Sequence, residues 1–104
     1  MIARQWHGKV PTEKAADYHQ YLIRTGLADY AAVPGNRGVL LLKREEPEIT
    51  HYYTLTYWES IDAIKQFAGE EYEKARYYPE DKDYLLEFEA LVQHYTVMAH
   101  ATAG

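Results

Sequence analysis

Apolar and β-branched residues recur with a period of two in three parts of the chain, and each part predicts a strand. Residues 2–9 form the first, with Ile2, Arg4 and Trp6 on one face. The runs VLLLKRE and THYYTLTYW are predicted to form a hairpin. The proline in the segment between them excludes a central strand there, and PGNRG before them is typical of a turn. The run LVQHYTVM, residues 91–98, predicts the last strand.

Two other segments have helical spacing. The first starts at Pro11, a residue suited to a first turn, and is expected to end near Gly26, with LADYAAV as a further turn or two. The second begins at Ser60, whose hydroxyl can cap it, and ends at Gly69. Its predicted buried stripe consists of Ile61, Ile64, Phe67 and Ala68. A short further helix is predicted over residues 70–78, followed by an irregular connection.

The resulting order is strand, helix, strand, strand, helix, strand, which predicts an α+β fold of the ferredoxin-like split βαβ type with an antiparallel sheet. Helices would cover one face of that sheet. The other face would expose apolar and aromatic residues over four strands, and such a patch usually marks an interface. Two sheets packed face to face would bury it. We therefore predict a homodimer that forms a dimeric α+β barrel.

Composition excludes several classes of function. The 104 residues are 47% hydrophobic and 26% charged, with a net charge of −5, which argues against a nucleic-acid footprint. Basic residues are scattered, so no polybasic membrane patch is present. The absence of cysteine excludes disulfides, thiolate metal sites and a cysteine nucleophile. No apolar stretch has the length of a signal peptide or membrane span, and a cytoplasmic location is predicted.

Tyrosine is unusually frequent, with eleven tyrosines against two phenylalanines. A tyrosine buries a large ring while its hydroxyl needs a partner. This bias indicates either amphipathic surfaces, at an interface or in a pocket with a polar lining, or simply a drift in aromatic usage.

The motifs W-H-G-x-V, P-G-N-R-G and Y-W-E-S-x-D-A-I-x-x-F-A-G resemble the antibiotic biosynthesis monooxygenase domain, one of the dimeric α+β barrel families. The resemblance spans residues 1–98 as a single domain and leaves residues 99–104 as a flexible tail. It implies a pocket between helices and sheet. Some members of that family oxidise electron-rich polycyclic phenols to quinones with molecular oxygen and no metal or flavin. A related branch binds and degrades haem, and other members have no known role.

The resemblance also selects candidate residues. Trp58 matches a tryptophan that pairs with an asparagine in the oxygenases; its indole could donate to a substrate oxygen, or the residue could simply seal the core. Asn36 and Arg37 could supply a polar pocket mouth, although asparagine in this context also builds turns. Arg76 stands where the haem-degrading branch needs an axial histidine. It could hold a phenolate oxygen, or pair with an acidic residue at the surface.

Histidines and tyrosines complete the candidate set. His51 and His94 fall on predicted strands that could bring them together, and either could act as a base for a phenol. The alternative is that both are hydrogen-bonded strand residues. Tyr53, Tyr77 and Tyr78 are candidate pocket walls, or else core or interface residues. No metal-ligand spacing, phosphate loop or serine elbow is present.

The leading hypothesis is therefore a cofactor-independent monooxygenase for a phenolic or hydroquinone-type small molecule, with no metal and no cofactor. The alternative from another class is a non-catalytic dimer that binds a small hydrophobic or aromatic ligand. Haem binding or degradation is the third hypothesis. No nucleic-acid or membrane partner is expected.

Overall fold

A four-stranded antiparallel sheet organises the computed structural model, which describes residues 1–101. Its strands are β1 (Ile2–Pro11), β2 (Asn36–Glu45), β3 (Ile49–Trp58) and β4 (Gln93–Thr96), in the spatial order β2-β3-β1-β4. This is the ferredoxin-like arrangement that the sequence predicts, and the α+β fold class is confirmed. The predicted tail, residues 99–104, lies in part outside the described residues and stays a prediction.

The helical segments all pack on one face of this sheet. A 3-10 turn (Thr12–Lys14) leads into α1 (Ala15–Leu22), a π-helical turn (Ile23–Leu27) and α2 (Ala28–Ala31), while α3 (Ile61–Ala68) follows β3 directly. The chain continues helically through Gly26, which is buried, and the further turn predicted over LADYAAV is present as α2. A glycine disfavours a helix by only about 1 kcal/mol relative to alanine, and packing of this segment against the sheet outweighs that cost. No helix in residues 1–101 is long and apolar enough to cross a membrane.

Alternate residues of β1 and β3 form the floor of the core. Trp6 lies opposite Thr54, and Gly8 lies opposite Tyr52. The Tyr18 ring of α1 packs edge-on against Tyr52, with 5.1 Å between the ring centres. A side chain at Gly8 would come within 2.3 Å of the Trp6 ring, so the glycine gives this ring its place on the sheet.

The predicted short helix over residues 70–78 is wrong, because this backbone bonds elsewhere. Ala75 N donates to Ala90 O at 2.9 Å, and Val92 N donates to Glu73 O at 2.9 Å. The last strand is shorter than residues 91–98, with only an isolated bridge from Leu91 to Lys74 before β4 begins. Residues 70–92 therefore run along the edge of the structure and close one side of the space under the helices.

The second face of the sheet carries apolar residues that the described chain leaves exposed. Leu40, Leu42 and Tyr95 are 47%, 45% and 50% exposed. Each lies on the face opposite to Trp6 and Tyr52, by the alternation of side chains along a strand. The pattern on which the homodimer prediction rests is thus present, while the homodimer stays a prediction.

The end of β3 and the start of α3 give the first testable prediction. The Ser60 hydroxyl accepts from Ala63 N at 3.2 Å, as expected of an N-cap. Ser60→Ala should lower the free energy of unfolding by about 1 kcal/mol, while Ser60→Asp should retain most of it. Urea titration of the three proteins measures this difference. Equal stability of the alanine and aspartate variants would contradict the capping role.

Candidate functional site

A cavity lies between the helical segment 15–31, the sheet and the chain that follows α3. Its walls include Arg4, Trp6, Tyr18, Tyr21, Tyr30, Arg76, Tyr78 and Asp81. The position agrees with the pocket between helices and sheet that the sequence resemblance implies. Four of these eight residues are tyrosines, and this part of the tyrosine excess therefore lines a pocket.

The cavity is a narrow slot. Its volume is about 40 Å³. That volume takes roughly three waters. A planar ring enters only if side chains at the mouth turn aside, and Arg76 is the exposed side chain in that wall.

The π-helical turn forms part of the cavity wall through Thr25 and Gly26. Turns of this kind inside helices are frequent at functional sites. The Thr25 hydroxyl donates to the Tyr21 carbonyl oxygen at 2.8 Å, which satisfies a carbonyl in the widened turn. A methyl group at Gly26 would meet only the Tyr30 ring, at 3.9 Å, so the glycine leaves space at the wall.

Arg4 places a permanent positive charge at the base of the cavity. Its side chain is on the helix-covered face of β1, and the residue is only 3% exposed. Nη2 donates to the carbonyl oxygens of Tyr72 and Lys74, each at 3.3 Å, while the buried Nε has no hydrogen-bond partner. Burial lowers the pKa of Arg4, but a guanidinium remains protonated at neutral pH.

No carboxylate pairs with this charge. In residues 1–101, none of the ion pairs within 4.0 Å involves Arg4. Burying an unpaired ion has an effective penalty of several kcal/mol even after relaxation. The Arg4 guanidinium is therefore the group in the cavity wall with the strongest unmet need for a negative partner.

Arg76 adds a second guanidinium on the same side. It lies over the Phe67 ring at 4.6 Å from the ring centre and donates from Nη1 to Phe67 O at 2.6 Å. Arg4 lies 5.6 Å from the centre of the same ring. Phe67 thus holds both cations, and the two act on each other, since Arg76 also lowers the pKa of Arg4. Arg76 forms no ion pair with an acidic residue of the described chain, and nearby Glu80 pairs with Arg24 instead.

The other ionisable side chains of the cavity wall are tyrosines and one buried aspartate. Burial raises the pKa of Tyr30, although the charges of Arg4 and Arg76 oppose this. Burial and a hydrogen bond to Asp29 raise the pKa of Tyr78 to about 12. These tyrosines are therefore phenols at neutral pH, and the Tyr78 hydroxyl donates to Asp29. Burial also raises the pKa of Asp81, which accepts from Tyr78 N at 2.6 Å.

Trp58 lies one layer behind the cavity. It is fully buried, and its indole N–H donates to Thr56 Oγ1 at 2.8 Å. Its ring packs against Phe67, with 5.7 Å between ring centres. The geometry thus places Trp58 behind the ring that carries both arginines, and the cavity wall does not include it.

Asn36 and Arg37 lie at the start of β2, away from the cavity wall. Asn36 Oδ1 accepts from Gly38 N at 3.1 Å, which is local turn chemistry. Arg37 forms an exposed ion pair with Glu59.

The structure does not bring His51 and His94 together. His94 lies opposite Arg4 on the helix-covered face, and burial followed by the charge of Arg4 lowers its pKa. His51 lies on the open face, where its Nδ1 is 2.9 Å from His7 Nε2 and its Nε2 is 3.0 Å from a Glu46 oxygen.

The three candidate tyrosines separate in the same way. Tyr78 is in the cavity wall. Tyr77 sits behind it, accepting from Trp6 Nε1 at 3.3 Å and donating to Glu89 O at 2.6 Å. Tyr53 lies on the open face and stacks on His7, with 4.8 Å between ring centres.

Sequence reasoning missed most of the cavity wall. Arg4 carried a usable signal, because an arginine between Ile2 and Trp6 on one strand face is a charge on a face that should be buried. Tyr18 and Tyr21 are three residues apart and so share one side of the helix. Asp81 had no such signal, since it reaches the wall on a short 3-10 helix, Pro79–Asp83, within a segment of no clear periodicity.

Comparison with known proteins supports the fold. No protein-family model matches the chain, and no curated protein matches it. An arginine-to-serine variant of MhuD, with two manganese protoporphyrin IX molecules bound per active site, is 18% identical with a TM-score of 0.70, over 99% of this chain and 100% of that one. MhuD from Mycobacterium tuberculosis, described as a haem degrader and holding two haems in its active site, is 19% identical with a TM-score of 0.68. That match covers 98% of this chain and 100% of MhuD.

A third solved structure, from Bacillus cereus, is described as a candidate antibiotic biosynthesis monooxygenase. It is 18% identical with a TM-score of 0.67, over 100% of this chain and 97% of that one. At such identities the likeness shows the fold alone. The resemblance to the antibiotic biosynthesis monooxygenase family is confirmed as a resemblance of fold.

The buried tyrosines predict the response to alkali. Burial raises the pKa of Tyr18, Tyr21 and Tyr30 above the usual value of 10.0. Above about pH 10 the unfolded chain loses protons that the folded chain keeps, so the free energy of unfolding falls as pH rises. Each such tyrosine contributes up to ~1.4 kcal/mol per pH unit.

Urea titrations between pH 9 and 11.5 measure this slope. Tyr18→Phe should make it shallower by one proton. An unchanged slope in that variant, or a folded protein in which every tyrosine ionises near pH 10, would contradict the buried phenols.

Proposed function

We propose that this protein is a small oxygenase that needs no metal or organic cofactor and acts on an electron-rich phenol or hydroquinone. The observation that carries the proposal is the cavity wall itself, in which two guanidinium groups share one aromatic ring and face phenolic side chains. Cations beside a bound phenol favour its deprotonated form. The fold shared with the Bacillus cereus protein supports the same assignment.

The proposed chemistry is confined to the substrate and oxygen. The bound phenolate passes one electron to dioxygen, which gives a phenoxyl radical and superoxide. These combine at the ring carbon, and loss of water from the protonated peroxide leaves a quinone. The protein has to hold the anion, exclude bulk water and keep the radical pair together.

In this proposal Arg76 and Tyr78 contact the substrate oxygen, and Trp58 acts through Phe67 as a positioning residue. His94 lies beside Arg4 on the helix-covered face but outside the cavity wall, and His51 lies on the open face, so neither histidine is proposed as the base. The structure offers no reason to assign substrate contacts to Asn36, Arg37, Tyr53 or Tyr77.

Haem fits the cavity poorly. No histidine, cysteine or methionine lines its wall in residues 1–101, and tyrosine is the sole residue type there that serves as a haem ligand in proteins. Haem is therefore not part of the proposed function, although it is the ligand named for MhuD.

Binding without catalysis is the second candidate function. It is favoured by the composition of the cavity wall, because no histidine of the described chain lines it and could act as a base. The same two arginines would then hold an aromatic anion that is not oxidised.

We further propose that the open face of the sheet pairs with a second copy of the chain. Leu40 and Leu42 alternate along β2 on that face and are about half exposed, and Leu55 lies opposite Leu40. A symmetric pair of sheets would remove these side chains from water.

Oxygen uptake tests the proposed reaction. Across a panel of hydroquinones and anthrones, we expect uptake above the buffer rate that falls about 10²-fold in Arg76→Gln. Oxygen uptake should also fall in Trp58→Phe, because the Phe67 ring is displaced. Arg44→Gln is the matched control, because it removes one arginine that lies outside the cavity in an exposed pair with Glu46.

Two results would decide against oxygenase activity. One is the absence of uptake across the panel by folded protein. The other is uptake that is equal in the Arg76 and Arg44 variants. A hemin titration belongs in the same series, and a sharp Soret band that saturates at a fixed stoichiometry would contradict the exclusion of haem.

The pairing of sheets has its own test. Leu40→Lys should shift the sedimentation coefficient from that of a dimer to that of a monomer at micromolar concentration. Ile23→Lys is the control, because it changes a residue of similar exposure, 40%, on the helical side of the molecule. A wild-type protein that sediments as a monomer would rule the dimer out.

A further inference from the structure

Arg4 and Asp81 are the two charged residues buried in the described chain, and both line the cavity. We propose that Arg4 is the anchor of a carboxylate subsite, and that the natural ligand of this cavity is a small aromatic acid. The inference deepens the proposed function by naming the substrate class, and it rests on that function for the location of the site.

The hydrogen bonds of Arg4 leave its charge without a negative partner. One terminal nitrogen holds the carbonyl oxygens of Tyr72 and Lys74, which ties the chain after α3 to β1. That structural role needs Nη2 alone. Nε is buried without a partner, and its N–H can donate one charge-assisted hydrogen bond to a carboxylate oxygen, while Nη2 stays on the two carbonyls.

The neighbours of Arg4 do not supply the missing charge. Tyr30 is the acidic group that opposes the effect of burial on the pKa of Arg4, through its charge and a hydrogen bond, but burial keeps Tyr30 a phenol. His94 and Arg76 are on the same side and can only add positive charge. Asp81 is buried across the cavity and is bonded by the backbone N–H of Tyr78.

The charge balance of the wall selects a monoanion. Arg4 and Arg76 contribute two positive charges and Asp81 one negative charge, which leaves one positive charge for the ligand to match. A phosphate monoester carries more than one negative charge at neutral pH and would exceed this single positive charge. Trp6 and the tyrosines Tyr18 and Tyr30 present ring surface to the same space, which suits a planar aromatic body attached to the carboxylate.

The test compares 2-hydroxybenzoate with 2-hydroxybenzamide by titration calorimetry on wild-type protein at pH 7.5. The two molecules share the ring and the phenol, and only the first carries the anion. We expect the carboxylate to bind at least tenfold more tightly. Acetate serves as a third probe, and it should bind at least tenfold more weakly than 2-hydroxybenzoate if the aromatic walls contribute.

Variants locate the site. Arg4→Gln should abolish the preference for the carboxylate, and Arg4→Lys should retain only part of it, because an ammonium keeps the charge but not the planar set of donors of the guanidinium. Arg44→Gln should bind both ligands as the wild type does. Should the Arg4 variants fail to fold, Gly26→Ala provides a second test. Alanine favours the helix, so the protein should remain stable, and its methyl group narrows the cavity. Both ligands should therefore bind more weakly to this variant.

Equal affinity for the acid and the amide in the wild type would overturn the inference, as would undiminished carboxylate binding in a folded Arg4→Gln protein. Acetate binding as tightly as the aromatic acid would identify a plain anion site instead. The proposed oxygenase activity fails separately: carboxylate-selective binding without oxygen uptake leaves the subsite and removes the reaction. Oxygen uptake with neutral phenols, with no preference for acids, would retain the reaction and remove the subsite.

Discussion

The buried charge of Arg4 is the constraint around which this cavity is built. A guanidinium cannot lose its proton to escape burial, so the surroundings must supply partners. The chain supplies two carbonyl oxygens and an aromatic ring, but no carboxylate within the described residues. The same interaction explains why residues 70–78 are not helical, since the Tyr72 and Lys74 carbonyls turn toward Arg4 and the neighbouring amides pair with residues 90–92.

From that contact the rest of the site follows. With the chain after α3 tied to β1, Arg76 and Tyr78 are brought opposite the tyrosines of the long helical segment. The widened helical turn at Thr25 and Gly26 leaves a slot between them. Phe67 links this slot to the core, because it contacts both arginines on one side and Trp58 on the other. The position of the buried tryptophan and the position of the cations are thereby coupled.

The sequence predicted the fold far better than the site. Strand alternation, the serine cap of α3 and the hairpin turn are local signals, and local signals determined every main element. The site is built from residues distant along the chain, such as Arg4 and Asp81, which no periodicity connects. The short predicted helix failed because its apolar spacing was outweighed by backbone pairing with residues 90–92. Trp58 was recognisable as a key residue, but its indole is satisfied by Thr56, which only the folded geometry reveals.

The most direct measurement is a crystal structure of the protein grown with 2-hydroxybenzoate. We expect density for the ring in the slot between α1 and the sheet, with a carboxylate oxygen within hydrogen-bond distance of Arg4 Nε. A structure in which the ligand lies elsewhere, with Arg4 paired to a carboxylate of the protein itself, would contradict the carboxylate subsite at Arg4.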